Sequence, residues 1–378
     1  MKKLLFNVHM VLGLASALVL LLVGLSGTII AFEPELNRVL HPALTNVPVT
    51  GPVMNWDAVK ASVEQQAPGW KLNRFYFADA PSHSTYARLR EIKTKRTRQI
   101  YINQYTGRIL GSTEDGPDLL IKIHDLHVNF LTGNLPGRPG SAVVMAGTYC
   151  LLVLSITGLL VWFPRRIFFF TATTNNIKRN RDLHMVVGFW SSLAMFAFAL
   201  TGIGLHYQTG KLLTLLNDHS DTVHVQTHGN TIEGMMQTAR EALPGTEIPR
   251  ILLSEKKGDP VFIYQRFPED HTPAGRSFTT LDPLTGSVLS VGSARKFPPM
   301  QSALVQYTRE IHTGTIFGLP TRILAAVFGF ALAVLALTGP LVYLNKWQAR
   351  RKGQRLAYSR AAVRNAQTVA GPKQMPSS

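Results

Sequence analysis

Four histidines stand in a setting where histidine is costly, and they stand in pairs. His9 and His184 hold equivalent places at the starts of two apolar runs, 175 positions apart. An ionisable side chain in a membrane segment usually has a partner or a task. Two imidazoles facing each other across a helical bundle can ligate one iron from opposite sides. The competing reading is a pair of core histidines bonded to backbone. His127 and His312 form the second pair, each just ahead of another apolar run. If these lead-ins dip into the bundle, they build a second two-histidine site. Otherwise they are helix-start histidines bonded to lipid phosphate or a carboxylate. From His9 to Ser26 is about 25 Å of helix, so sites near opposite faces would divide the membrane into shorter electron transfers.

Other residues bear on the same chemistry. His206 ends the third apolar run, and His124 lies three residues before His127 on the same helical face. Both are reserve ligands, or substrate-side or proton-handling groups. Arg138 and Arg322 occupy matching Pro-x-Arg turns. Arginine suits carboxylates such as haem propionates, although a headgroup-level snorkelling role fits equally well. Met10 and Met185 point about 100° away from the adjacent histidines and are read as packing. Gly13, Gly24, Gly27, Gly188, Gly202 and Gly204 allow close helix approach or leave room for a flat cofactor, with close packing preferred. His219, Asp221, His224 and His228 lack regular ligand spacing, so 218–228 reads as a solvated loop rather than a labile metal site.

The elements that position these residues are legible. Charged residues make up 16% of the 378 and hydrophobic ones 46%, unlike a disordered chain or an ordinary soluble enzyme. Four uncharged runs, 11–32, 141–163, 185–207 and 323–344, each suffice for the about 20 helical residues that cross a bilayer. The first is too long for a signal peptide and lacks a cleavage site, so it reads as a retained helix. One cysteine excludes an intrachain disulfide, a cysteine-rich metal site and covalent c-type haem. The net charge of +17 concentrates in residues 1–8, in 164–183 and in the tail 346–378. The positive-inside rule then places both termini and the 164–183 loop in the cytoplasm. The tail is a topology determinant near anionic lipid, not a nucleic-acid site.

The chain also repeats itself. Residues 8–28 (VHMVLGLASALVLLLVGLSGT) parallel residues 183–203 (LHMVVGFWSSLAMFAFALTGI). Helix-like runs at 57–69 and 231–245 both end in Pro-Gly. Alternating segments follow at 74–77, 85–91 and 99–103, then at 250–254, 261–265 and 277–281. Each set closes on a Thr-Gly turn with a short strand. The lead-ins LHVNFLTGNLPGR at 126–138 and IHTGTIFGLPTR at 311–322 match as well.

This ordered set, met twice over residues 5–347, resembles PepSY-associated transmembrane proteins, and among them the inner-membrane ferric-siderophore reductases. The resemblance implies an α-helical membrane protein with b-type haem and two periplasmic α+β PepSY-like modules, the four helices forming two parallel repeats. On that reading two b-type haems take His9, His184, His127 and His312 as iron ligands, and a ferric siderophore is the periplasmic partner. No flavin or nicotinamide motif is visible, so the donor is a cytoplasmic reductase or a membrane quinol. The expected organisation is a first helix (1–32), a periplasmic module (33–123), a lead-in and second helix (124–163), and a cytoplasmic loop (164–183). The third helix (184–207), the second module (208–306), a lead-in and fourth helix (307–345) and the tail (346–378) complete it. Three rivals remain: a redox protein with another acceptor, a haem-free PepSY protein binding a peptide or regulating a protease, and a proton-coupled transporter. The doubled histidine pairs and the lack of an intramembrane Asp or Glu favour redox.

Overall fold

The computed structural model describes residues 2–115, 118–133, 135–163, 168–169, 173–207, 223, 225–253, 258–270, 272–296 and 307–369. In chain order the first half holds α1 (Lys2–Ile30), α2 (Glu33–Leu40), α3 (Pro42–Thr45), α4 (Trp56–Gln66), β1 (Trp70–Tyr76), β2 (Thr85–Glu91), β3 (Thr97–Asn103), β4 (Arg108–Gly111), α5 (Leu119–Asn129) and α6 (Pro139–Trp162). The second half holds α7 (Asn176–Tyr207), α8 (Ile232–Ala242), β5 (Glu247–Leu252), β6 (Val261–Arg266), β7 (Ser277–Leu281), β8 (Val288–Gly292), α9 (Thr308–Thr313) and α10 (Leu319–Val369).

The helices α1, α6, α7 and α10 are long and apolar enough to cross a membrane. Local chemistry sets their ends. Pro139 sits in the first turn of α6, where a missing N–H costs nothing. The Asn175 side chain accepts from the N–H groups of Ile177 and Lys178 at 2.9 and 3.1 Å, so α7 begins well before the apolar run. The helix α10 continues through Val369 into the basic tail, where the first Pro after Pro340 is Pro372 and Ala, Arg, Gln and Lys favour helix. Much of the expected 164–183 loop lies outside the described residues.

The four spans form a ring. Both α1 and α7 pack against α6 and α10, which sets α1 across from α7. At the α1–α10 contact a Cβ on Gly24 would lie 2.7 Å from the Gly329 carbonyl oxygen, so close backbone approach requires glycine there. Leu20, Leu151, Met195 and Leu332 meet inside the ring.

The expected strands are present, and the two modules meet edge to edge. Pairing of β1 with β5 joins two four-stranded antiparallel meanders into one sheet of order β4-β3-β2-β1-β5-β6-β7-β8. One face packs against α4 and α8, burying Val59, Val63, Phe75, Ile100, Met235, Ile251 and Ile263. Asp57 of α4 accepts from the N–H groups of Ile232 and Glu233 at 2.8 and 3.1 Å, while Glu233 accepts from the Trp56 N–H at 3.0 Å. Each helix thus supplies an acid to the exposed amides and positive dipole end of the other.

Candidate functional site

Two short helices carry the second histidine pair to the bundle. The Asp118 carboxylate caps α5, accepting from Leu120 and Ile121 N–H at 2.7 and 3.0 Å, and Phe130 ends it in a left-handed conformation. The helix α9 ends at Gly314, whose φ of 74° and tight approach to the Thr321 carbonyl both demand glycine. In this way α5 packs on α1 and α6, and α9 packs on α7.

The structure brings His9 and His184 together across the ring, with ring centres 6.4 Å apart and planes at 80°. His127 and His312 also meet, at 6.2 Å and 60°. It does not bring the reserves into either pair. His124 binds Glu33 through Nδ1 at 2.9 Å, and exposed His206 reaches the Ser141 hydroxyl at 3.5 Å. Arg138 is exposed at the start of α6. Arg322 grips Glu35 with two hydrogen bonds of 2.7 and 2.6 Å and donates to the Ala31 carbonyl, so its guanidinium ties α10 to the end of α1. Of the 218–228 stretch only residues 223 and 225–228 are described, and His228 binds Glu241 at 2.7 Å. Among the described residues no group of three or more His, Cys, Asp or Glu side chains is arranged to hold a metal.

Each paired histidine is held in the same manner. The Nδ1 atoms of His9, His184, His127 and His312 lie 3.0, 2.9, 3.2 and 3.1 Å from the hydroxyls of Thr157, Thr338, Ser26 and Thr201. Every one of these hydroxyls donates its own proton to the carbonyl four residues earlier, at 2.8, 2.8, 2.7 and 2.7 Å. The hydroxyl oxygen is therefore an acceptor, and the histidine carries its proton on Nδ1. The His127 Nδ1 also donates to the Val23 carbonyl at 3.0 Å, which fixes that tautomer independently. Nε2 is left with the lone pair, and it makes no hydrogen bond in any of the four rings among the described residues.

The residue after each hydroxyl is glycine. A Cβ at Gly158, Gly339, Gly27 or Gly202 would stand 3.2, 3.4, 3.0 or 3.2 Å from Cε1 of the same four histidines. Each ring lies against bare helix backbone, where a side chain would press on it.

The chain matches the family model described as PepSY-associated TM region over residues 6–346. It belongs to the PepSY-associated TM family. No curated protein matches it. In this PepSY-associated TM protein each span contributes one Ser/Thr-Gly dipeptide: 26–27, 157–158, 201–202 and 338–339. Sequence reasoning assigns Gly27 and Gly202, the glycines of the first and third dipeptides, to close packing. Gly24 does pack, whereas Gly27 and Gly202 seat histidines. Thr157-Gly158 and Thr338-Gly339 were missed, although the recurrence of the dipeptide in all four apolar runs was the available signal.

Charges outside the spans are also tuned. The Glu33 carboxylate raises His124 above the ordinary imidazole range, and the hydrogen bonds from Arg322 hold Glu35 below the usual carboxylate range. Burial raises Glu310, two residues before His312.

Proposed function

We propose that this protein is a di-haem b-type cytochrome of the bacterial inner membrane that carries electrons to the periplasm and reduces a ferric siderophore. The observation that carries the reading is the pair of histidine couples, 6.4 and 6.2 Å between ring centres, at opposite ends of one helical ring. Metal–imidazole bonds of about 2 Å on opposite sides of one ion set two ring centres about 6.3 Å apart, so both couples fit axial ligation of a haem iron.

The chain's own residues supply the other requirements of such a site. Ligating imidazole must be neutral with a free nitrogen, and the Ser/Thr hydroxyls hold the proton on Nδ1 and leave Nε2 to ligate. The seats at Gly27, Gly158, Gly202 and Gly339 let the Cε1 edge of each ring approach the backbone of a neighbouring helix. Haem, when bound, accepts and releases one electron at a time.

The proposed reaction takes one electron from a membrane quinol or a reduced cytoplasmic protein and delivers it to Fe(III) in a chelate, giving Fe(II). Hard oxygen ligands hold Fe(III) strongly and Fe(II) weakly, so reduction frees the iron and leaves the chelator intact. The basic tail and basic first residues put both chain ends in the cytoplasm under the positive-inside rule, with the sheet in the periplasm beside the His127/His312 couple.

A pyridine-haemochrome assay on detergent-purified protein tests this reading. The expected result is two b-type haems per chain, followed by reoxidation of the reduced protein when a ferric siderophore is added. Folded protein from haem-replete cells that contains no haem would overturn it.

A further inference from the structure

The sheet face turned away from α4 and α8 carries an unusual row. The strand register sets Tyr101, Tyr86, Tyr76, Arg250, Tyr264 and Phe278 side by side across six strands. The rings of Tyr76 and Tyr86 are 4.5 Å apart, those of Tyr86 and Tyr101 6.1 Å, and the Arg250 guanidinium lies 3.6 Å above the Tyr264 ring centre. In the neighbouring row Arg74 stands directly opposite Arg88. Three guanidiniums and four phenols thus share the middle of one face.

This face looks toward the His127/His312 end of the bundle. Asn37 of α2 donates to the Tyr101 hydroxyl at 2.9 Å. Arg309, three residues before His312, is close enough to act on both Arg250 and His124, and His124 acts in turn on His127.

Among the described residues no ion pair joins a carboxylate to Arg74, Arg88 or Arg250; Arg88 bonds the Tyr86 phenol, and the acids that act on this row, Glu33 and Asp118, lie at its Tyr101 edge. Nε of Arg88 and Nε of Arg250 are buried with no hydrogen-bond partner among the described residues. The groups that act most strongly on Arg250 are Tyr264, Tyr76, Arg309 and Arg74. Burial, reinforced by the like charges of Arg309 and Arg74, pushes Arg250 below its ordinary range. Burial pushes the Tyr86 phenol up to about 12, so it stays a neutral hydrogen-bond donor at neutral pH. Like charges placed opposite each other in a sheet destabilise it, and a buried donor without an acceptor is costly. An anion seated between the arginines would relieve both. Phenol rings and guanidinium planes would stack on aromatic or planar ligand arms.

We infer that Arg74, Arg88 and Arg250, framed by Tyr76, Tyr86 and Tyr264, form the docking site for the chelate and select a net-anionic ferric complex with carboxylate or catecholate oxygens over a neutral or cationic hydroxamate complex. The inference rests on the proposed reductase activity for the identity of its ligand. The site itself stands on charge and geometry that owe nothing to haem.

The test uses redox-inert gallium(III) complexes, so binding is read apart from electron transfer. Full-length protein in detergent is titrated by calorimetry with a trianionic gallium tris-catecholate and with a neutral gallium trihydroxamate of similar size. The expected result is at least tenfold tighter binding of the anionic complex. Arg250→Gln and Arg88→Gln, each checked for an unchanged melting temperature, should each weaken that binding by at least tenfold and leave the neutral complex unaffected. Equal affinity for the two complexes would overturn the inference. So would anionic binding that neither variant weakens, or the absence of anionic binding. If the protein holds haem and is reoxidised by ferric chelates while gallium binding ignores charge, only this inference fails. If the variants behave as expected in a protein that holds no haem, only the reductase reading fails.

Discussion

Thr157 on α6 holds Nδ1 of His9 on α1 at 3.0 Å while giving its own proton to the Val153 carbonyl at 2.8 Å. The hydroxyl is thereby locked as an acceptor, and the acceptor locks the imidazole tautomer. Thr157→Val keeps the shape and removes the oxygen. Outer-shell partners of this kind typically contribute 10–100-fold in metal affinity, so affinity for the haem proposed at the His9/His184 site should fall by about that factor. The remaining haem at that site should show a raised midpoint potential, because a less basic imidazole stabilises Fe(III) less. Potentiometric titration should find the other haem unchanged and Thr157→Ser near wild type. Unaltered potential and occupancy in Thr157→Val would remove the role assigned to the hydroxyl.

Two glycines three residues apart on one helix should fail differently. A side chain at Gly27 meets the His127 ring 3.0 Å away, whereas one at Gly24 meets the Gly329 backbone at 2.7 Å. Gly27→Val should displace the ring and deplete the His127/His312 haem while the bundle still folds. Gly24→Val forces α1 and α10 apart, at about 1–3 kcal/mol for the overpacking. It should lower thermal stability and disturb both haems. Optical spectra with melting curves separate the outcomes.

Asp57 caps α8 although it belongs to α4. Loss of a capping acid costs about 1–2 kcal/mol, so Asp57→Ala should lower the melting temperature of the sheet region. The haem spectrum should stay as in wild type, because no bundle contact is touched. A spectral change would show coupling between the α4–α8 layer and the bundle.

The Arg322–Glu35 clamp should be acid-sensitive. The hydrogen bonds from Arg322 hold the Glu35 carboxyl below its ordinary value. A depressed carboxyl contributes stability above its unfolded pKa and loses it as pH falls through the folded one. The Glu35 side chain is 43% exposed, so solvent screening limits the contribution to about 1 kcal/mol or less. Glu35→Gln should flatten the decline of melting temperature on acidification. A decline identical to wild type would remove Glu35 from the account.

The sequence carried the strong signals and hid the indirect ones. Uncharged runs long enough to span a bilayer, alternating strands and the two histidine pairs are one-dimensional patterns; the strands fall within a few residues of their expected places, and each run lies within a helix, although the third helix starts earlier and the fourth runs on through Val369. The pairing of β1 with β5 was not legible, because the partner strand lies far along the chain and either module reads as a complete unit. Arg322 read equally well as a propionate partner or a snorkelling cation, and neither reading contained Glu35, which only the fold brings to it. Thr157 and Thr338 were hidden because a threonine bonded only back to its own helix and one that also holds a histidine on a neighbouring helix have the same local sequence.

The central claim is that the histidines act as two specific couples. Haem content and difference spectra of His9→Ala, His184→Ala, His127→Ala and His312→Ala test it most directly. His9→Ala and His184→Ala should lose the same haem and retain the other, while His127→Ala and His312→Ala should show the converse. Loss of different haems by the two members of a couple, or retention of both haems in any of the four, would contradict the account.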